Sequence, residues 1–144
     1  SVNIPVIAAG GIMTGVDIHE ALALGAKAVQ MGTAFLVTDE SNIHPAYRKK
    51  LLEGGDVRTR LTRAFSGRYA RGIENRFMKQ MEGVESQVPA YPVQNALTSS
   101  IRAAAAKSGD PELMSLWAGA EVGRSRALSV AQLMQTLVAE MRPT

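Results

Sequence analysis

The chain has 144 residues, 46% of them hydrophobic and 20% charged, with a formal net charge of +3 and no cysteine. That length suits one ordinary domain, and no apolar run is long enough to span a bilayer. The lack of cysteine excludes disulfides, thiolate nucleophiles and cysteine-ligated zinc or iron–sulfur centres, and the composition as a whole is the one expected of a cytoplasmic globular enzyme.

Two glycine turns stand near the start, each just after an apolar strand. The first strand, Ile4 to Ala8, leads into Ala9-Gly10-Gly11-Ile12, and the second, Ala28-Val29-Gln30-Met31, leads into Gly32-Thr33. One helix fits between them. Thr14 caps it, and Asp17 favours its positive end. Ile18, Ala21 and Leu22 form its apolar face, and Gly25 stops it. Strand, turn, helix, strand, turn predicts a parallel βαβ unit. In a parallel (β/α) barrel such turns lie at the C-terminal, ligand-binding face, often with a phosphate site after strands seven and eight. Glycine lets backbone approach an anion closely, and the N–H groups opening the next helix point at it. The pair therefore reads as a phosphate cradle, the bland alternative being two tight turns that only lead the chain out of the sheet. A complete barrel needs roughly 250 residues. With two strand-plus-glycine signals and a start directly at a strand, the chain is expected to be the C-terminal part of a larger enzyme, residues 1–42 supplying the last βα units.

Thr33 to Val37 follows as one helical turn, and Thr38 to Ser41 as a loop rich in capping residues. Pro45 starts a helix through Leu52, which Gly54-Gly55 end. From Asp56 to Ala64, Val57, Thr59 and Leu61 alternate with Arg58, Arg60 and Thr62, a period-two pattern that predicts an exposed strand or extended segment. Ser66-Gly67 breaks it, and Gly72 to Glu82 reads as helix. Val88 to Pro92 is a stiff extended linker, and Val93 to Lys107 reads as one helix of high intrinsic propensity. Asp110-Pro111 opens a short helix ending near Trp117, and Ser129 with Gln132 forms a capping box for a helix to Met141. Residues 43–144 are thus expected to form a mainly helical lobe. Between Arg48 and Lys79, ten Lys/Arg stand against three acids, Glu53, Asp56 and Glu74. With only Phe65, Tyr69 and Phe77 interleaved, this excess reads as a solvated face or a surface that attracts an anionic cofactor or substrate, not as a nucleic-acid interface.

The segments IPVIAAGGI, ALALGAKAVQMGTAFLVTDES, HPAYRKKLL, TRAFSGRYARGIENRFM, YPVQNALT and MSLWAG, in that order and spacing, resemble the nitronate monooxygenase family, formerly called 2-nitropropane dioxygenases. The resemblance implies an α/β fold: the last two strand–helix units of an FMN-binding (β/α)8 TIM barrel, followed by a mainly helical C-terminal lobe. It implies oxidation of a small-molecule alkyl nitronate by O2 to a carbonyl compound and nitrite, with FMN as cofactor, no nucleic-acid or membrane partner, and a homodimer as a compatible assembly. By the same match Gly11, Gln30, Met31, Gly32 and Thr33 are the FMN contacts. Gly11 and Gly32 can offer unobstructed N–H groups, and the Thr33 hydroxyl can donate to a phosphate oxygen.

The chain departs from the family in having Ala120 where glutamine often follows Trp-Ala-Gly, so Trp117, Gly119 and Ala120 are not carried over as site residues. The family's catalytic base is a histidine on an earlier strand, and neither His19 nor His44 sits in a matching motif. His19 is expected mid-helix on the outer ring, and His44 is expected to cap or pack the start of the next helix. Adjacent Asp39 and Glu40 should diverge into water. No catalytic residue is assigned, and no metal-ligand spacing is present. An FMN-dependent enoyl-acyl-carrier-protein reductase, a flavin-free phosphate-sugar barrel and an inactive interaction module remain the alternatives. The stretches Ser66 to Phe77 and Tyr91 to Trp117 favour the nitronate reading over the reductase.

Overall fold

The parallel βαβ unit is present in the computed structural model, which describes residues 2–55 and 57–141. β1 (Ile7–Ala9) and β2 (Ala28–Gln30) pair in parallel, Ile7 opposite Ala28 and Ala9 opposite Gln30, with α1 (Gly15–Ala23) as the crossover. β1 starts later than Ile4 because Pro5 has no N–H to give a ladder. Pairing begins with the Val6 carbonyl, which accepts from Lys27 N–H at 2.8 Å. At the head of α1 the Thr14 hydroxyl accepts from Asp17 N–H at 3.3 Å, and the Asp17 carboxylate accepts from Thr14 N–H at 2.9 Å, a complete capping box.

The chain continues through α2 (Thr33–Leu36), α3 (Pro45–Leu51), β3 (Thr59–Thr62), β4 (Ala70–Ile73), α4 (Arg76–Met81), α5 (Val93–Leu97), α6 (Ser99–Ser108) and α7 (Val130–Glu140). One-turn 3-10 helices lie at Glu85–Gln87, Pro111–Leu113 and Val122–Arg124. β3 and β4 form an antiparallel hairpin separate from the parallel pair. Ser129 and Gln132 cap α7 reciprocally, as their spacing predicts. Glu40 adds a third contact there, accepting from Val130 N–H at 2.9 and 3.0 Å.

Four stretches differ from the sequence expectation, each for a tertiary reason. Gly72 and Ile73 belong to β4, and the helix starts only after Asn75. Buried Asn75 accepts from Met78 N–H and donates to the carbonyls of Pro111 and Met114 at 3.0 and 2.8 Å, which makes it a cap. A Cβ on Gly72 would lie 2.9 Å from the Leu116 carbonyl oxygen, so the 116–118 segment closes on the strand there. That segment is extended, with Trp117 bridged to Gly72, and the helix expected to end near Trp117 stops at Leu113. The single helix expected over Val93 to Lys107 breaks at Thr98, whose buried hydroxyl donates to the Phe65 carbonyl at 2.6 Å.

In β3 burial does not follow the alternation: Thr59 and Arg60 are both half-buried. Leu61 is 54% exposed while Thr62 is fully buried, its hydroxyl donating to the Glu85 carboxylate. Burial pushes the Glu85 carboxyl up, but the Thr62 hydroxyl, the N–H groups of Arg63 and Ala64 and the Arg60 charge outweigh it and hold it below its usual range. Asp56, where that stretch was expected to begin, lies outside the described residues.

Among the described residues, three apolar clusters make the core. One joins Val37, Leu51, Ile73, Leu116 and Val122. A second packs α1 on α7 through Met13, Ile18, Ala34, Leu133 and Leu137. In the third, the Phe65 ring stacks on Phe77 with centroids 4.5 Å apart and meets Trp117 edge-on at 5.7 Å. Residues on both sides of position 42 share the first two clusters.

Candidate functional site

The two glycine turns converge at one end of the parallel pair. Gly10 and Gly11 have φ of +99° and +72°, conformations that L side chains rarely adopt. Together with Gly32 they bound a cleft of about 90 Å³ lined by Gly10, Gly11, Ile12, Met13 and the Gln30 to Thr33 stretch. All five residues singled out from sequence, Gly11, Gln30, Met31, Gly32 and Thr33, line it. Among the described residues, the N–H groups of Gly11, Gly32 and Thr33 donate to no other backbone carbonyl. Open donors on residues that line a small concavity suit an anion with several acceptor oxygens, such as a phosphate.

Two further residues reach this cleft from far along the chain, Gly119 and Glu121. Gly119 N–H donates to Thr33 Oγ1 at 2.9 Å. Because the Thr33 oxygen accepts there, its O–H proton is left to donate elsewhere. A Cβ on Gly119 would come within 3.4 Å of Thr33 Oγ1 and 3.9 Å of Gly11 N, so glycine keeps this wall clear. Gly119, which the departure at Ala120 excludes from the sequence-based site, thus lines the cleft. The usable signal was its glycine identity directly after a buried segment. Ala120 itself is exposed and does not line the cleft. Trp117 belongs to the aromatic core, and its carbonyl accepts from the Tyr47 hydroxyl.

The first turn is held from behind. Arg124 donates to Thr14 Oγ1 at 3.1 Å and to Asp17 Oδ1 at 3.0 Å. Arg126 donates to the Met13 carbonyl at 2.9 Å and to Glu140 at 2.6 Å, and Glu140 accepts from Gly15 N–H at 2.8 Å. Burial pushes the Asp17 carboxyl up, but the N–H groups of Met13 and Thr14, the Arg124 guanidinium and the Thr14 hydroxyl bring it down to about 2. Glu140 is treated alike: burial raises it, and Gly15 N–H and Arg126 more than offset that.

Several other polar groups have structural partners. His44 Nδ1 accepts from Ala46 N–H at 3.1 Å and so caps α3, and His19 is exposed on α1. Asp39 pairs with Arg48 at 3.1 Å while Glu40 turns to α7, so the two carboxylates diverge. A wider hollow of about 440 Å³ lies beside Lys50, Glu53, Arg58, Glu74 and Lys79. Two pairs of its charges neutralise one another, Lys50 with Glu53 at 3.0 Å and Lys79 with Glu74 at 4.0 Å.

A family model described as nitronate monooxygenase matches residues 1–140. A probable nitronate monooxygenase of Staphylococcus aureus (strain Newman) is 52% identical over 118 residues, which are 82% of this chain and 33% of that protein. The chain therefore spans about a third of the length of the curated relatives it matches. Among solved structures, nitroalkane oxidase from Streptomyces ansochromogenes superposes with a TM-score of 0.91 at 48% identity, covering 97% of this chain and 40% of that one. FabK from Thermotoga maritima superposes with a TM-score of 0.79 at 35% identity, covering 97% of this chain and 45% of that one.

Proposed function

The chain belongs to the nitronate monooxygenase family, and we propose that its two glycine turns hold the phosphate of FMN in an enzyme that oxidises alkyl nitronates with O2 to a carbonyl compound and nitrite. The observation that carries this reading is the cleft itself: Gly11, Gly32 and Thr33 bring open N–H groups and a free O–H proton to one small concavity. FMN, when bound, supplies the redox chemistry, and the protein supplies binding, orientation and electrostatics. Gly11, Gly32 and Thr33 would hold the phosphate, and Gln30 and Met31 would form the wall beside it. Residues 1–42 are then the last two strand–helix units of a (β/α)8 barrel and residues 43–144 the helical lobe that packs on it. Exposed Ile4, Ile7 and Leu24 on the parallel unit support this, because two strands alone leave such apolar surface uncovered.

The greater likeness to a nitroalkane oxidase than to FabK favours chemistry on a nitro compound. The test uses the intact protein that carries this chain. FMN released on denaturation, with O2 consumption and nitrite formation from an alkyl nitronate, is the expected result. Flavin with no nitrite, but reduction of an enoyl thioester by a nicotinamide cofactor, would move the assignment to the reductase.

A further inference from the structure

Gly10 and Gly11 are two consecutive glycines in the left-handed region, the most flexible backbone a cleft could be built on. An anion site made of such backbone binds well only if the turn is ordered beforehand, since ordering it on binding would consume affinity. Part of the order is local, from the Asp17 carboxylate on the N–H groups of Met13 and Thr14, and part comes from the other end of the chain. Met13, Thr14, Gly15 and Asp17 are all held by Arg124, Arg126 and Glu140, partners more than one hundred residues away in sequence. Arg126 is central to this clamp. One guanidinium nitrogen takes the Met13 carbonyl and another takes Glu140, which in turn takes Gly15 N–H, so both sides of Thr14 are fixed through one planar fork. Met13 lines the cleft, whereas Arg126 and Glu140 do not.

We propose that Arg126 is a positioning residue for the phosphate, fixing the Met13 end of the first glycine turn from outside so that the Gly11 N–H is presented to the cleft before a ligand arrives. The proposal rests on the phosphate-cradle reading above. Riboflavin carries the same ring system as FMN without the phosphate, so it separates this role from general support of the fold.

In the intact protein, dissociation constants for FMN and riboflavin are measured by flavin fluorescence for the parent, Arg126→Met and Arg126→Lys. Arg126→Met is expected to weaken FMN binding about tenfold, the loss of one fork of charge-assisted bonds, and to leave riboflavin binding within about twofold. Arg126→Lys keeps the charge but reaches only one of the two acceptors, so a smaller, still phosphate-selective loss of about threefold is expected even if the methionine variant does not fold. Equal loss for both flavins in either folded variant, or no loss for FMN, would overturn the proposal. A parent protein that binds riboflavin as tightly as FMN would overturn the cradle reading itself, and this inference with it.

Discussion

The Thr33 hydroxyl can act in two directions, one of them already in use. Its oxygen accepts from Gly119 N–H at 2.9 Å, which pins the returning segment to the second glycine turn and leaves its proton for a ligand. Thr33→Ala should therefore weaken FMN binding by about 1–2 kcal/mol, as for a lost bond to a charged acceptor, while Thr33→Ser should restore most of it. Flavin titration of the two variants checks this. Gly11→Val should abolish FMN retention. Its φ of +72° is strained for a branched residue, and the new side chain would meet Glu121, whose Cγ lies 3.5 Å from the first added carbon. A normal flavin content after purification would contradict the phosphate assignment. The family resemblance pointed to Gly11, Gln30, Met31, Gly32 and Thr33, which line one cleft, and each turn is a run of neighbours that follows its own strand. Gly119 was not legible in the sequence, because its meaning lies in a contact with a threonine 86 positions earlier.

The elements most legible in the sequence are those whose ends are written in adjacent side chains. Thr14 with Asp17, Ser129 with Gln132, and Pro45 behind His44 all mark helix starts where the structure has them. Asp17 gives the first helix a pH signature. Its carboxyl titrates near 2 in the folded chain against 3.8 for the free group, so its stabilisation is full above about pH 4 and is lost as pH falls toward 2. Melting temperatures between pH 2 and 5 should show this slope, flattened in Asp17→Asn. The crossing of α1 and α7 was not legible. Gly15 sits at the contact, where an added Cβ would lie 2.1 Å from the Leu137 carbonyl oxygen and 2.6 Å from Glu140 Cβ. Gly15→Ala should cost about 1–3 kcal/mol by forcing the helices apart, measured by denaturant unfolding. The misread elements share one cause. At Gly72 and Thr98, a distant backbone group captures a residue of weak helix propensity that its neighbours alone would have carried into a helix.

At the scale of the whole molecule, the parallel unit presents apolar side chains to solvent, with Leu24 91% and Ile4 70% exposed. Expressed alone, this chain should self-associate and bind a hydrophobic dye more strongly than the intact protein, whereas a monomer of low dye binding by light scattering would argue against a missing partner surface. The sequence by itself determined the βαβ opening, the capped helices and the family, and through the family resemblance it pointed to five residues that line one cleft. These are properties of neighbours: glycines that permit a conformation, side chains that cap the next turn, strands that alternate with a helix. Only the tertiary structure decided that residues 119–140 come back to that opening, with Gly119 clearing the cleft and Arg124, Arg126 and Glu140 holding the turn behind it. No periodicity or spacing encodes that return. Its physical basis is the burial of Leu133 and Leu137 against Ile18, which brings together polar groups from opposite ends of the chain.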